Sequence, residues 1–340
     1  MKLGVWTPLP HTIRPEPIME EAIDRLRNQG GEGETDLSYQ YALDTVLKAE
    51  EYDFDITLIA ERFLGPDLES WVLTSALAAR TTSIELMAAV HPGIIHPQVV
   101  AKMGAAIDRI SGGRFAVNIV NGWWKDEFNL FGNGAWLEDP EKRYLRMNEF
   151  VQVLKGLWSE DKYSFQGEFY RVESASLPTK TCRRPYPPIY AASRSETGKE
   201  IIANHCDVWF LSCDPGHRQF GDNVKAMAAE IDRMNGRGRI LGREMGYGLS
   251  AHVICAASQD EAETRADELE AYRKNGGVSA IAAKALGAGL VGTPELIATR
   301  IKQYEELGIG CLMMHFHPML EGLETFAREV MPMLRHTVRK

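Results

Sequence analysis

One alternation, repeated eight times, constrains this chain more than any single motif: a short apolar run, then a longer segment of helical period. The runs are Leu3–Thr7, Asp55–Ala60, Ile84–Val90, Phe115–Val120, Pro188–Ala192, Val208–Ser212, Tyr247–Cys255 and Cys311–Phe316. They are bounded by turn residues and mostly apolar throughout, as strands buried on both faces are. Helical patterns lie near 37–52, 69–82, 97–111, 142–158, 196–205, 219–235, 259–274, 294–307 and 320–335. Parallel strands need a long crossover connection, usually a helix. Eight such units predict an α/β fold, a single closed (β/α)8 TIM barrel, with a doubly wound open sheet as the competitor. No Gly-, Ser- or Pro-rich linker interrupts the 340 residues, which read as one domain over 1–340.

Two connections are long for such a fold. Residues 8–36 carry a charged helical pattern (Ile18–Arg27) and then Gly30-Gly31-Glu32-Gly33. Residues 123–141 and 159–186 bracket the fourth helix, and Tyr163 to Tyr170 read as a small hairpin. Long βα loops gather at the C-terminal face of a barrel, where active sites form. Residues 8–36 are therefore a candidate lid, with an oligomer contact or a merely tolerated insertion as the other readings.

Charge and cysteine usage exclude other classes. A formal net charge of -9 argues against non-specific nucleic-acid binding. No apolar run approaches the roughly 18 residues of a membrane span, and the N-terminus lacks signal-peptide architecture. Five cysteines, with no C-x-x-C pair, fit free thiols in a reducing cytoplasm.

The functional signals sit at the ends of the predicted strands. Phe115–Val120 follows a Gly112-Gly113 turn and exits into Asn121-Gly122-Trp123-Trp124, amides and indoles suited to a flat, partly apolar cofactor. Trp6 ends the first strand, Glu61-Arg62 follows the second, and His91 ends the third. His252 lies in the seventh, and His315-Phe316-His317 ends the eighth with both imidazoles on one face by the period of two. Arg62 is either half of a solvated ion pair or a clamp for a sulfonate, sulfone or carboxylate oxygen. The H-x-H keeps a metal-dependent hydrolase open as a rival, although further ligands are not evident in the spacing. Ala191-Ala192-Ser193-Arg194-Ser195 leads from the fifth strand into a helix, a phosphate site or ordinary capping by Ser195. Tyr144 and Arg143 stand where a second phosphate contact would come from. Gly287-Ala288-Gly289-Leu290-Val291-Gly292 matches a dinucleotide fingerprint, yet no strand precedes it; Thr293-Pro294-Glu295 instead reads as a helix start after a loop.

Several blocks together resemble the bacterial-luciferase-like FMN monooxygenases. They are Leu3 to Pro8, Ala106 to Phe115, Asn118 to Trp123, Leu290 to Glu295 and Glu324 to Pro332. Within that superfamily the chain looks most like the dimethylsulfone monooxygenases, and less like the alkanesulfonate and pyrimidine enzymes. The resemblance implies a (β/α)8 barrel that takes reduced FMN from a separate NAD(P)H:FMN reductase. With dioxygen it would oxidise a small organosulfur compound, a sulfone or sulfonate, and split a carbon–sulfur bond. It implies flavin contacts at Ala89 and Val90, on a strand end that often holds a non-prolyl cis peptide, and at Asn118. Phosphate contacts fall on Tyr144, Ala192, Ser193, Arg194 and Ser195. Catalytic roles fall on Asn118, His252, His317 and Arg62, and substrate contacts on Trp6, Arg62, His91, Trp123 and His315, with no metal. A cytoplasmic homodimer or homotetramer is the implied state. Departures are Ala191-Ala192 for a glycine pair, Ser250 for an arginine of the alkanesulfonate enzymes, His317 where they carry a tyrosine, and a short 275–292 segment. They lean toward a sulfone. A deazaflavin-dependent oxidoreductase on the same barrel, and a flavin-binding barrel without turnover, remain as alternatives.

Overall fold

Eight parallel strands close on one another in strict sequence order: β1 (Lys2–Trp6), β2 (Ile56–Ile59), β3 (Glu85–Val90), β4 (Phe115–Ile119), β5 (Ile189–Ala192), β6 (Val208–Leu211), β7 (Gly246–His252) and β8 (Ile309–His315). The structure is a computed structural model and describes residues 1–12, 16–27, 33, 35–122, 124–132, 134–274 and 285–335. The seam is an ordinary parallel ladder, with Lys2 opposite Cys311 and Val5 opposite Met314. Gly4 is there because of that seam: a Cβ would lie 2.8 Å from the Ile56 carbonyl and 2.5 Å from Met313 Sδ. All six residues of β3 are buried, which is why its run shows no polar alternation.

Helices cover the barrel as their apolar stripes direct. The helix Pro97–Ile110 starts with proline in its first turn and turns Val100, Ala101, Gly104 and Ala105 inward. Gly104 leaves room for the rings of Phe115 and Trp158, and Trp158 Nε1 donates to Ala101 O at 2.9 Å. After that helix, Gly112 and Gly113 take φ of 70° and 93°, a left-handed pair that reverses the chain into β4. The turn aims Arg114 at the N-terminal end of the barrel. There its guanidinium donates to the carbonyls of Ser111 (2.8 Å), Ile84 (2.7 Å), Thr81 (2.9 Å) and Ala78 (3.2 Å), and to Thr81 Oγ1 (3.0 Å).

Four readings of the sequence change. The run Tyr247–Cys255 is not one strand; it breaks at Val253, and Ile254–Cys255 leaves the barrel to pair with Val291–Gly292. The hairpin starts at Tyr163 as expected but runs on to Ala175, with Tyr163–Gln166 antiparallel to Arg171–Ala175. The last helix is three pieces, Met319–Thr325, a π turn at Phe326–Val330, and Met331–Arg335. A short helix, Lys125–Asn129, follows the tryptophan pair. The glycine fingerprint is a packing feature, as its context suggested: a Cβ on Gly287 would sit 2.1 Å from Asp214 O, and Gly289 has φ of 64°.

Of the 8–36 connection, the helix Pro17–Arg27 is described and is fastened to the body. Glu16 accepts from Tyr41 OH (2.6 Å) and from the Met319 amide (2.8 Å), while Met19 and Ala22 are buried.

Candidate active site

The C-terminal strand ends line a small, partly open pocket. Trp6 from β1, Arg62 after β2, Ala89 from β3 with His91 just past its end, and Asn118 from β4 line it. Its polar groups have few partners. Asn118 Oδ1 and Trp6 Nε1 are buried without a hydrogen bond. Buried polar atoms are normally paired, so an orphan in a concave site marks where a ligand's donor or acceptor belongs.

Three adjacent strand ends extend this pattern. Trp6 stacks on His315 at 4.4 Å between ring centroids, and His315 lies parallel to His252, 6.1 Å away and 11° between planes. The register dictates it, since His252 and His315 are the terminal residues of paired strands. All four imidazole nitrogens are buried and unpartnered. Burial, with His317 nearby, holds His252 down to about 3, and burial beside His252 and His11 holds His315 well below the usual histidine range. Both are neutral rings in the folded protein. The unfolded chain protonates them below about pH 6.5, so it binds more protons there than the native state and stability falls as pH drops. We expect the melting temperature to decline on acidification from about pH 6.5 toward pH 4, and less steeply in His252→Gln. Equal slopes for the two proteins would count against a buried neutral His252.

On the other side of β4 from β3, a hydroxyl cluster forms where β5 meets the helix Glu196–His205. Tyr144 OH and Ser193 Oγ are 2.9 Å apart, and Ser193 and Ser195 Oγ 3.2 Å. Gly198 permits this, because a Cβ there would strike Ser193 Oγ at 2.1 Å and the Tyr144 ring at 2.6 Å. Ser195 also caps the helix through the Gly198 amide, so both readings of this loop meet in one residue. Arg194 is turned aside, donating to Cys213 O at 2.8 Å. Three hydroxyls at a helix N-terminus, where the dipole is positive, fit a phosphate group. Ala192 is exposed at the lip of the same strand.

Of the acidic residues of the mouth, the sequence offered Glu61 only as the ion-pair partner of Arg62, and Glu127 not at all. Glu127 is buried and its Oε1 accepts from the amides of Phe63 (2.6 Å) and Leu64 (3.3 Å), fixing the loop that carries Glu61 and Arg62. Glu61 lines the cavity beside Arg62 and is 8% exposed. Burial, then the charges of Glu69 and Glu127, push its carboxyl well above the ordinary glutamate range. The Arg62 guanidinium lies 4.7 Å from the Trp124 ring centre. Phe128 packs edge-on to His91 and fills the space a Cβ on Gly122 would need, which is why the Asn121-Gly122 turn requires glycine. His11 also lines the cavity and is held by Asp67 at 2.8 Å.

Some expected residues stand elsewhere. His317 lies past the end of β8, which stops at His315; it lines a separate groove with Arg265 and Glu268, while remaining near enough to His252 to influence its charge. Val90 is fully buried in the wall, and Val120 takes its place at the cavity. The cis peptides among the described residues are Arg184–Pro185 and His317–Pro318, so Ala88–Val90 runs trans, in unbroken register with Val117–Ile119. Trp123 lies outside the described residues. Among those described, the one cluster able to share a metal ion is His217, Asp267 and Glu270, and the mouth histidines are not in it.

The fold and this ring of strand-end groups define a (β/α)8-barrel enzyme. The chain belongs to the luciferase-like monooxygenase family, whose profile matches residues 19–311. It is 31% identical over 333 residues to the FMNH2-dependent dimethylsulfone monooxygenase of Pseudomonas putida, covering 88% of each chain. It is 30% identical to the enzyme of that name from Pseudomonas fluorescens (strain Pf0-1), covering 91% of each. The solved EDTA monooxygenase of Chelativorans sp. BNC1 superposes with a TM-score of 0.76 at 17% identity, over 99% of this chain and 94% of that one, a likeness of fold.

Proposed function

We propose that this chain is the oxygenase of a two-component system. It takes reduced FMN from a separate NAD(P)H:FMN reductase and uses dioxygen to oxidise a small sulfone or sulfonate, with cleavage of a carbon–sulfur bond. It works in the cytoplasm as a homodimer or homotetramer, with residues 8–36 as its lid. The observation that carries this reading is the pair of orphaned polar groups, Asn118 and Trp6, in one pocket of a luciferase-like barrel, with the unpartnered ring of His315 stacked on Trp6 and that of His252 beside it.

The residues present fit FMN. Tyr144, Ser193 and Ser195 would hold the phosphate, and Ala89 and Asn118, on neighbouring strands, would hold the ring system. Reduced FMN supplies the two electrons that activate dioxygen. The chain's own work is to bind, to orient and to exclude water, for which Trp6, Leu58 and Val120 provide apolar walls. Neutral imidazoles donate hydrogen bonds without adding charge, which supports a sulfone over a sulfonate.

Anaerobic titration with photoreduced FMN tests the cofactor. Saturable binding is expected, weakened about tenfold in Ser193→Ala and in Tyr144→Phe by loss of a phosphate hydrogen bond. Failure of the wild-type protein to bind would end this reading. Release of sulfite or sulfinate from a panel of sulfones and sulfonates, with a generic flavin reductase, then identifies the substrate class.

A further inference from the structure

We propose that Glu61 is the proton donor of the mouth cavity. The inference rests on the monooxygenase reading above and assigns that site an acid. Glu61 stands two residues beyond β2, lines the cavity, and leaves Oε2 buried with no hydrogen-bond partner. The other carboxylates around it are engaged. Glu127 accepts two amides, Glu69 caps the helix Ser70–Ala78 through Val72 N at 2.7 Å, and Asp67 holds His11. Asp67 Oδ2 is also unpartnered but Asp67 does not line the cavity; of the two lining carboxylates, Glu61 is the one with a buried oxygen that has no partner.

The groups around it decide which form it takes. Glu127 and Glu69 oppose a third negative charge, burial opposes any charge, and the His91 backbone N–H alone is weighed on the other side. Arg62, next in the chain, has its guanidinium against the Trp124 ring. His91, itself buried, is held by Val120 O at 3.1 Å, so its ring is not a rival acid. Two neighbouring carboxyls in environments that push them apart divide the labour, Glu127 as the fixed anion and Glu61 as the acid.

The chemistry calls for such a group. Substrate, dioxygen and reduced FMN yield oxygenated product, water and oxidised FMN, so one dioxygen atom leaves as water and must be protonated. The Glu61 O–H bond breaks as its proton passes to that departing oxygen. The carboxylate then regains a proton from solvent, and no proton is consumed overall.

Infrared spectroscopy of the flavin-free protein reads the acid directly. At neutral pH a protonated-carboxyl C=O band is expected in the wild type and absent in Glu61→Gln; a wild-type spectrum without it overturns the proposal even if the variant fails to fold. Glu61→Gln should bind reduced FMN nearly as the wild type does, yet lose about 10²–10⁴-fold in coupled oxidation, with Glu61→Asp recovering part of it. Full coupled activity in Glu61→Gln also overturns the assignment. A wild type that shows the band but never binds reduced FMN indicts the monooxygenase reading instead.

Discussion

Replacing Asn118 with alanine is expected to slow substrate oxidation by about 10²–10³-fold while changing reduced-FMN affinity far less. The magnitude is that of removing one preorganised polar group from a water-poor site. Asn118 meets the conditions for it. It is 9% exposed on β4, and its backbone is in register with Ala89 on one side and Tyr190 on the other, so the amide cannot drift. Its Oδ1 has no partner in the protein, so nothing local is broken by the change. Single-turnover kinetics separates the two quantities. Equal loss of binding and turnover would place Asn118 as a flavin ligand only.

The second large effect lies at the far end of the barrel. Arg114→Ala should lower stability by about 3–5 kcal/mol, read as a shift in the urea midpoint with unchanged slope. Its guanidinium makes five hydrogen bonds, four of them to backbone carbonyls of residues 78–84 and Ser111, and all would lose a charged donor at once. Arg114→Lys should recover little, because an ammonium cannot fork across four carbonyls. Activity per folded molecule should be unchanged, since the site is at the opposite mouth. A loss under 1 kcal/mol would mean that water replaces the guanidinium at little cost.

These two residues also mark what could be read in advance. The barrel was legible because strands buried on both faces leave continuous apolar runs, and eight such runs alternating with helices admit few closed arrangements. Asn118, Trp6, His91, His252 and His315 were legible because each ends or lies in such a run. Glu61 was not: beside Arg62 it reads as a surface ion pair, and only the fold brings Glu69 and Glu127 around it. His317 was misplaced because alternation predicts faces only while the strand lasts. Arg114 stood inside the block that most resembles the family, yet a list of residue types cannot reveal that it tethers carbonyls 30 or more residues away.

The stack of His252, His315 and Trp6 straddles the seam where the barrel closes, and its members lie far apart along the chain. During synthesis the first two strands can pair, and so can the middle ones, but the stack cannot form until β8 has left the ribosome and docked against β1. Until then Trp6 lacks its stacking partner. The packing behind Trp6 is therefore completed last, and a half-made chain holds the pocket-lining residues without the stack that backs them.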